Sequence, residues 1–537
     1  NPFIIQIMKT KQFLIFFLIA CLSHASAQQG TLDQTFGNKG IATLDFSGED
    51  DKAQAIVVQP DGKILITGTV DNGSNKNFGV ARYHPDGSLD QDFGFNGKKQ
   101  IDFFGDDDFA EAISLESDGK IIIAGTSLNG SGDVFFSVAR LNPDGSYNLD
   151  FDADGKSSWK GAGTDKSVSA KDVAIDANGN IMVAGTSDVE RHGVANSSFT
   201  VVRFLPDGSS TLVYRASIQS QRAQAMTLQA DGKVLVAGSI EDIDPHTNFC
   251  LLRLKYRDSQ GNQLLRDNDF HFDGTVESDF GGDTESAYAV AVQPDGKILV
   301  AGSYQRNANS NKSLLLARYM PDGTLDPGFG IFNGYTSLSS LSYDIELRDI
   351  VVQPDGKILV AGYTKEGTQN SFVLRRYTSN GDLDQSFGPI RTNIGIAGTG
   401  GPGMALALQS DGKVLVAGFA FTSLPNKNDF ALLRYHNDVA MDIPDFFEEN
   451  TSPFIYPNPV QNRFQLSFEL KRAAKLDLHL FDMMGKEVQR WDHNQLRTRG
   501  NHVEEMELRP DISPGLYLLR ISSQGQNMGM LVQVGER

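Results

Sequence analysis

Cysteine is nearly absent. The chain has two in 537 residues, and Cys21 sits in a segment expected to be removed before folding, which leaves Cys250 alone. Disulfide bonds are thereby excluded as the staple of the fold, whatever the compartment. Positive charge is also short: 48 Lys and Arg stand against 67 Asp and Glu, and the net charge of −19 excludes the basic footprint that nucleic-acid binding needs. No stretch approaches the ~18 consecutive apolar residues of a transmembrane helix, so no transmembrane segment is expected. Enzymatic signatures are missing as well. There is no HExxH, no GxSxG and no glycine-rich phosphate loop, and the nine histidines are scattered. Glycine, at 54 residues, is in excess, ~10% against a usual ~7%, which points to many turns.

From Met8 the order is Lys9 and Lys11, an apolar run from Phe13 to Leu22, then Ala25-Ser26-Ala27 before Gln28. That charged, apolar and small-residue order is a secretory signal peptide, assigned to residues 1–27. The residues before Met8 are expected to be upstream read-through. Leu18-Ile19-Ala20-Cys21 resembles a lipoprotein cleavage box with Cys21 as the lipidated residue, but Ala25-Ser26-Ala27 is better placed and makes Gln28 the expected new N-terminus.

The body of the chain repeats. QPDGKILITG from Gln59 recurs as ESDGKIIIAG from Glu116, DANGNIMVAG from Asp176, QADGKVLVAG from Gln229, QPDGKILVAG from Gln293 and Gln353, and QSDGKVLVAG from Gln409. The turn glycines, Gly62 to Gly412, are 57, 60, 53, 64, 60 and 56 residues apart. Each copy reads as four short strands. The first, such as AQAIVVQ ending at Gln59, turns through Pro60-Asp61-Gly62 into the second; the third, such as FGVARY ending at Tyr83, turns through Pro85-Asp86-Gly87 toward a fourth, SLDQDFG. In the first strand small residues alternate with large ones, as in Ala53, Ala55 and Val57 beside Ile56 and Val58, which predicts one flat and one bulky sheet face. The last copy stops after its third strand at Tyr435-His436, and the missing piece, Gly30-Thr31-Leu32-Asp33-Gln34-Thr35-Phe36-Gly37, stands at the other end. An N-terminal strand completing the last blade closes a ring. The fold class expected is all-β: a seven-bladed β-propeller over 29–440, followed by a small Ig-like β-sandwich.

These repeats resemble the delta-60 family of bacterial propeller repeats, and their DGKILVAG core is similar to NHL repeats. The resemblance implies a fold and no catalytic residues. The fourth strand departs from the pattern in the third and fourth copies, around Leu212 and Asp267.

An acidic linker is expected at 441–454. The tail that follows is near neutral, so the acidity belongs to the ring. Tyr456-Pro457-Asn458-Pro459, then Leu480 to Val488 (LFDMMGKEV), then Pro514-Gly515-Leu516-Tyr517-Leu518 resemble the type A C-terminal sorting domain of the type IX secretion system. The resemblance implies that 455–537 engages that secretion machinery, that the source is a Bacteroidetes-like bacterium, and that the protein is secreted or held at the outer cell surface.

For chemistry, four groups of residues stand out. An arginine near the end of each third strand (Arg82, Arg140, Arg203, Arg253, Arg318, Arg376, Arg434) reads as scaffold, with Asp33, Asp90, Asp326 and Asp384 as partners. No cofactor is expected; Asp150, Asp152 and Asp154 have the DxDxDG spacing that can wrap calcium, the alternative to none, but the later acidic ligand is replaced by Ser158. Glu49, Asp50, Asp51, Asp106, Asp107, Asp108, Asp165, Asp283, Glu285, Asp344 and Glu346, all in connections entering first strands, predict an acidic mouth that binds a cation or a basic partner. Glu111 with Asp172 or Asp349 is the pair to inspect for hydrolysis. The leading expectation is a monomeric binding propeller whose variable second-to-third loops face a glycan or protein ligand; a carbohydrate-active enzyme and a purely structural surface protein are the alternatives.

Overall fold

The Pro-Asp-Gly turns set the strand pairing. Gly62 has a φ of 82° and its N–H donates to Gln59 O at 2.9 Å, while Gln59 N donates to Lys63 O at 2.7 Å. The same turn recurs at Gly119, Gly179, Gly232, Gly296, Gly356 and Gly412. The structure, a computed structural model, describes residues 29–161, 165–191, 194–216, 220–241, 246–257, 263–394, 402–423, 427–437, 454–456, 460–482, 487–491, 496–513, 515–523 and 526–534. The expected leader with Cys21, the linker up to 453, Pro457-Asn458-Pro459, Met483 to Lys486 and Pro514 lie outside them.

The first antiparallel sheet runs Asp51–Val58, Ile64–Asp71, Lys76–Tyr83 and Lys98–Ile101. The same order recurs from Asp108–Leu115 to Lys156–Trp159, from Asp165–Ile175 to Ser210–Arg215, from Thr284–Val292 to Tyr335–Leu338, and from Asp344–Val352 to Ile390–Thr392. Between the third and the fifth repeat, Gln221–Leu228, Val234–Glu241 and Thr247–Tyr256 pair in order, and two short segments, Leu264–Arg266 and Thr275–Ser278, share the outer edge. The departures around Leu212 and Asp267 therefore change the form of an outer strand and leave the edge covered. The last sheet runs Gly403–Leu408, Val414–Ser423, Lys427–Tyr435 and then Ile41–Leu44, so the N-terminal strand is its outer member.

The outer strand is not the segment expected. SLDQDFG makes a single bridge, Leu89 to Tyr83, and then turns; the pairing strand is Lys98–Ile101, a few residues on. In the same way Leu32 bridges Tyr435, and Ile41–Leu44, rather than 30–37, carries the ladder to Phe430–Leu433. The reason lies in the DFG turn: Phe93 is fully buried and Gly94 N donates to Asp144 O of the next repeat at 2.9 Å. SLDQDFG is thus a plug between neighbouring sheets.

The buried clusters lie between sheets. Leu65, Phe78 and Phe93 pack with Ile121, Ile123 and Leu141 of the next sheet, and Ile64, Ile66 and Val70 of the first pack with Leu415, Phe430 and Leu432 of the last. Apolar burial at ~25 cal/mol per Å² makes every sheet depend on two neighbours. In the tail, Phe454–Tyr456, Arg463–Leu470 and Gly500–Glu507 form one sheet, and Glu487–Trp491, Asp477–Asp482, Gly515–Ser523 and Gln526–Val534 another. Phe464, Leu466, Leu478, Leu480, Leu519 and Val532 are buried in one cluster, the core of a small sandwich.

Candidate functional site

Each first strand carries a β-bulge at one position. The ladder runs Ala53 to Gly68 and then Ala55 to Thr67, so Gln54 has no partner. The same skip falls at Glu111, Lys171, Gln224, Tyr288, Arg348 and Met404. The closing glycine of every DGKILVAG string explains it. A Cβ on Gly68 would stand 2.0 Å from Lys52 O, and one on Gly302 2.0 Å from Ser286 O, so only glycine admits the bulged strand. The bulge breaks the period of two, which replaces the expected flat and bulky faces.

The bulge aims one side chain per inner strand at a common space. Gln54, Glu111, Lys171, Gln224, Tyr288, Arg348 and Met404 line one cavity of about 350 Å³, on which every inner strand borders. Lys171 Nζ meets Glu111 Oε1 at 2.7 Å. The Arg348 guanidinium lies 4.0 Å from the Tyr288 ring centre and donates to Glu346 Oε2 at 2.9 Å, while its Nε is buried without a hydrogen-bond partner among the described residues. Charge of both signs, amides, a phenol ring and a thioether thus face one another across the opening. Of this set, sequence reasoning singled out Glu111 and not its six counterparts. The available signal was a variable residue between two small ones, as in Ala53-Gln54-Ala55 and Ala287-Tyr288-Ala289.

Glu111, Asp172 and Asp349 all reach this cavity, but each is engaged. Asp172 accepts from Val173 N at 2.8 Å and Met226 N at 2.7 Å; Asp349 accepts from Ile350 N and Leu406 N, both at 2.7 Å. Burial pushes Asp172 up to about 6, and burial with the charge of Asp172 pushes Asp349 up to about 7. These two carboxyls tie one inner strand to the next, and Glu111 is held by Lys171.

The acids expected at the mouth serve the loops that carry them. Asp51 accepts from Phe46 N at 2.7 Å, Asp108 from Phe103 N at 2.9 Å and Glu285 from Phe280 N at 2.8 Å, always five residues back. Burial raises all three to about 7 despite those bonds. Asp50 accepts from Asn428 N at 3.0 Å, Asp107 from Lys76 N at 2.9 Å and Asp344 from Lys312 N at 2.8 Å, each on the preceding sheet. Glu346 pairs with Lys312 at 2.9 Å, Glu49 with Lys427 at 2.6 Å and Asp165 with Arg215 at 2.5 Å. Asp106 Oδ1 accepts from Asp107 N at 2.9 Å, and Asp283 lies 3.7 Å from His246. Asp150, Asp152 and Asp154 are exposed, and Asp154 Oδ1 accepts from Lys156 N at 2.9 Å. Among the described residues their carboxylates do not converge.

The third-strand arginines clamp neighbouring sheets. Arg82, Arg318, Arg376 and Arg434 pair with Asp90, Asp326, Asp384 and Asp33 at 2.7–2.9 Å. Arg253 takes Asp267 at 2.9 Å, and Arg140 takes Glu116 at 2.7 Å instead of an aspartate. Their other nitrogens reach the next turn, as Arg140 Nη1 does to Pro206 O at 3.0 Å.

A family model described as a domain of unknown function (DUF5122) beta-propeller matches residues 59–93, 116–151, 229–255, 293–329, 353–387 and 409–442. A second, described as a secretion system C-terminal sorting domain, matches 454–531. The third copy of the repeat, from Asp176, falls between the matched segments. No curated protein matches the chain. Among solved structures, it is similar to a catalytically inactive virginiamycin B lyase from Staphylococcus aureus with quinupristin, at 12% identity and a TM-score of 0.39, over 73% of this chain and 98% of that one. It is also similar to PorZ, a surface component of the type-IX secretion system of Porphyromonas gingivalis, at 13% and 0.37, over 92% and 60%. An ulvan lyase bound to its saccharide gives 11% and 0.41, over 74% and 96%. Such likenesses say nothing of ligand or activity.

Proposed function

We propose, on the premise that this chain is a DUF5122 β-propeller protein with a secretion-system sorting domain, that its repeats form a seven-bladed ring whose axial cavity binds the end of a glycan. Secretion, placement at the outer surface and engagement of the secretion machinery follow from the sorting domain. The binding reading rests on one observation: the repeats keep the bulge but put seven side chains of differing chemistry on it, all lining one cavity. Small ligands are held by such concave sites with a few convergent polar groups. The Gln54 and Gln224 amides and the Glu111–Lys171 pair suit hydroxyl groups. Tyr288, with Arg348 on its ring, offers an amphipathic face to a sugar.

A glycan array probed with the exported chain tests this reading. A bound glycan whose affinity drops about tenfold, or ~1.4 kcal/mol, in both Tyr288→Ala and Gln224→Ala is the expected result. Absence of any glycan signal, or binding that both variants retain in full, overturns it. The second outcome moves recognition to the variable loops and to a protein or glycan held there.

A further inference from the structure

The seam where the first and last sheets meet brings together three carboxylates that do not line the axial cavity. Asp45 follows the N-terminal strand Ile41–Leu44, Asp51 opens the first inner strand, and Asp429 lies on Lys427–Tyr435 of the last sheet. One carboxylate oxygen from each lies within 4.8 Å of the others. Asp51 is fully buried and Asp429 is 8% exposed. Asp51 Oδ1 is buried with no hydrogen-bond partner, its other oxygen being taken by Phe46 N. Among the described residues no lysine or arginine forms an ion pair with any of the three; nearby Lys98 spends its Nζ on Asp45 O and Phe46 O, at 2.8 and 2.9 Å. Three facing carboxylates, two of them out of water, repel one another when ionised, and a cation between them relieves that repulsion without protonating them.

The chain contains its own comparison. The Asp45/Asp51 arrangement recurs as Asp102/Asp108 and as Asp279/Glu285, with the same bond back to the fifth preceding residue. Asp429 stands five residues before the clamp arginine of its strand, and the matching positions on the sheets facing those two loops are Asn77 and Asn248. Among the described residues, a third acid joins such a pair only at the seam. We propose that Asp45, Asp51 and Asp429 hold a calcium ion that joins the first sheet to the last. The donors are all carboxylate oxygens, which suit a hard cation. Calcium takes oxygens at ~2.3–2.6 Å in irregular arrangements, which suits three carboxylates from separate strands and loops better than the strict octahedron that magnesium demands. This site is distinct from Asp150, Asp152 and Asp154.

Calcium chloride titrated into the full chain should bind at one site and raise the melting midpoint by several degrees over the EDTA-treated protein. Asp429→Asn installs the residue found at the two equivalent positions and should fold. It should lose the calcium-dependent shift and melt above wild type when both are in EDTA. Asp45→Asn, on the exposed loop, should weaken calcium about tenfold or more, and Asp152→Ala should bind as wild type does. A wild-type midpoint that ignores calcium, a shift that survives Asp429→Asn, or an equal shift with magnesium would each overturn the assignment.

Discussion

Arg434 and Asp33 form a buried ion pair at 2.9 Å, joining the last third strand to the first turn of the ring. Asp33 is 1% exposed and receives Lys413 as well, at 3.2 Å. Although burial opposes it, bonds from Thr35 and the charge of Arg434 hold the Asp33 carboxyl well below the usual carboxylate range. Removing one member of a buried pair costs about 3–5 kcal/mol when the other is left alone, and less here because Lys413 and Thr35 stay on Asp33. Arg434→Met should therefore lower the denaturant midpoint and expose the N-terminal strand to protease. Arg318→Met, which breaks the matching pair within one repeat, should destabilise without freeing that strand. Equal proteolysis of the two variants would contradict the assignment of Arg434 to closure.

The bulge glycines give a second test. Gly302→Ala would drive a methyl against Ser286 O, in a strand flanked by two others, and should cost several kcal/mol or abolish folding. At Gly130, nothing lies within 4 Å of an added Cβ and the backbone is not left-handed. Gly130→Ala should stay within about 0.5 kcal/mol of wild type. Thermal melts of the pair decide the matter.

Stability should depend on pH with a definite sign. Glu285, Asp108 and Asp349 are all raised to about 7 in the fold, chiefly by burial, so between their unfolded values and pH 7 the folded chain holds more protons. Their contribution is full below about pH 4 and falls as the pH rises through 7. Asp33 and Asp384 are lowered, and act oppositely, losing stability only as the pH drops below about 4. Denaturant midpoints should therefore be higher at pH 5 than at pH 8. Glu285→Gln should flatten that difference by on the order of 2 kcal/mol. A midpoint that climbs steadily to pH 8 would count against buried, raised acids.

The tail predicts an address. A chain lacking 455–537 should fold its ring, since the ring's clusters draw on no residue of the tail. It should nonetheless accumulate in the periplasm, where fractionation and surface proteolysis would find it. Undiminished surface display would sink the sorting role.

How far these features could be read in advance depended on whether they are local. The Pro-Asp-Gly turns are set by adjacent residues, and so the repeats, the strand count per repeat and the N-terminal strand in the last sheet were legible. SLDQDFG misled because a plug and a strand share the same alternation; only burial of Phe93 in the next sheet separates them. The glycine of Thr67-Gly68 was visible, but its reason, an inner strand bulged toward it, is a tertiary one. Asp51, Asp108 and Glu285 read as part of a binding mouth because their amide partners, five residues back, are brought round by the loop fold. Asp429 gave no signal at all, since its neighbours Asp45 and Asp51 lie almost a whole ring away in sequence.

Ile41–Leu44 supplies the outer strand of the sheet that ends at Tyr435. Until both ends are present, the Phe430–Leu433 edge is an unpaired template of the kind that recruits stray strands. Completion of the ring thus reports the presence of both seam strands: a product lacking either Ile41–Leu44 or Lys427–Tyr435 stays open at one edge, prone to pair with its own copies and accessible to quality-control proteases.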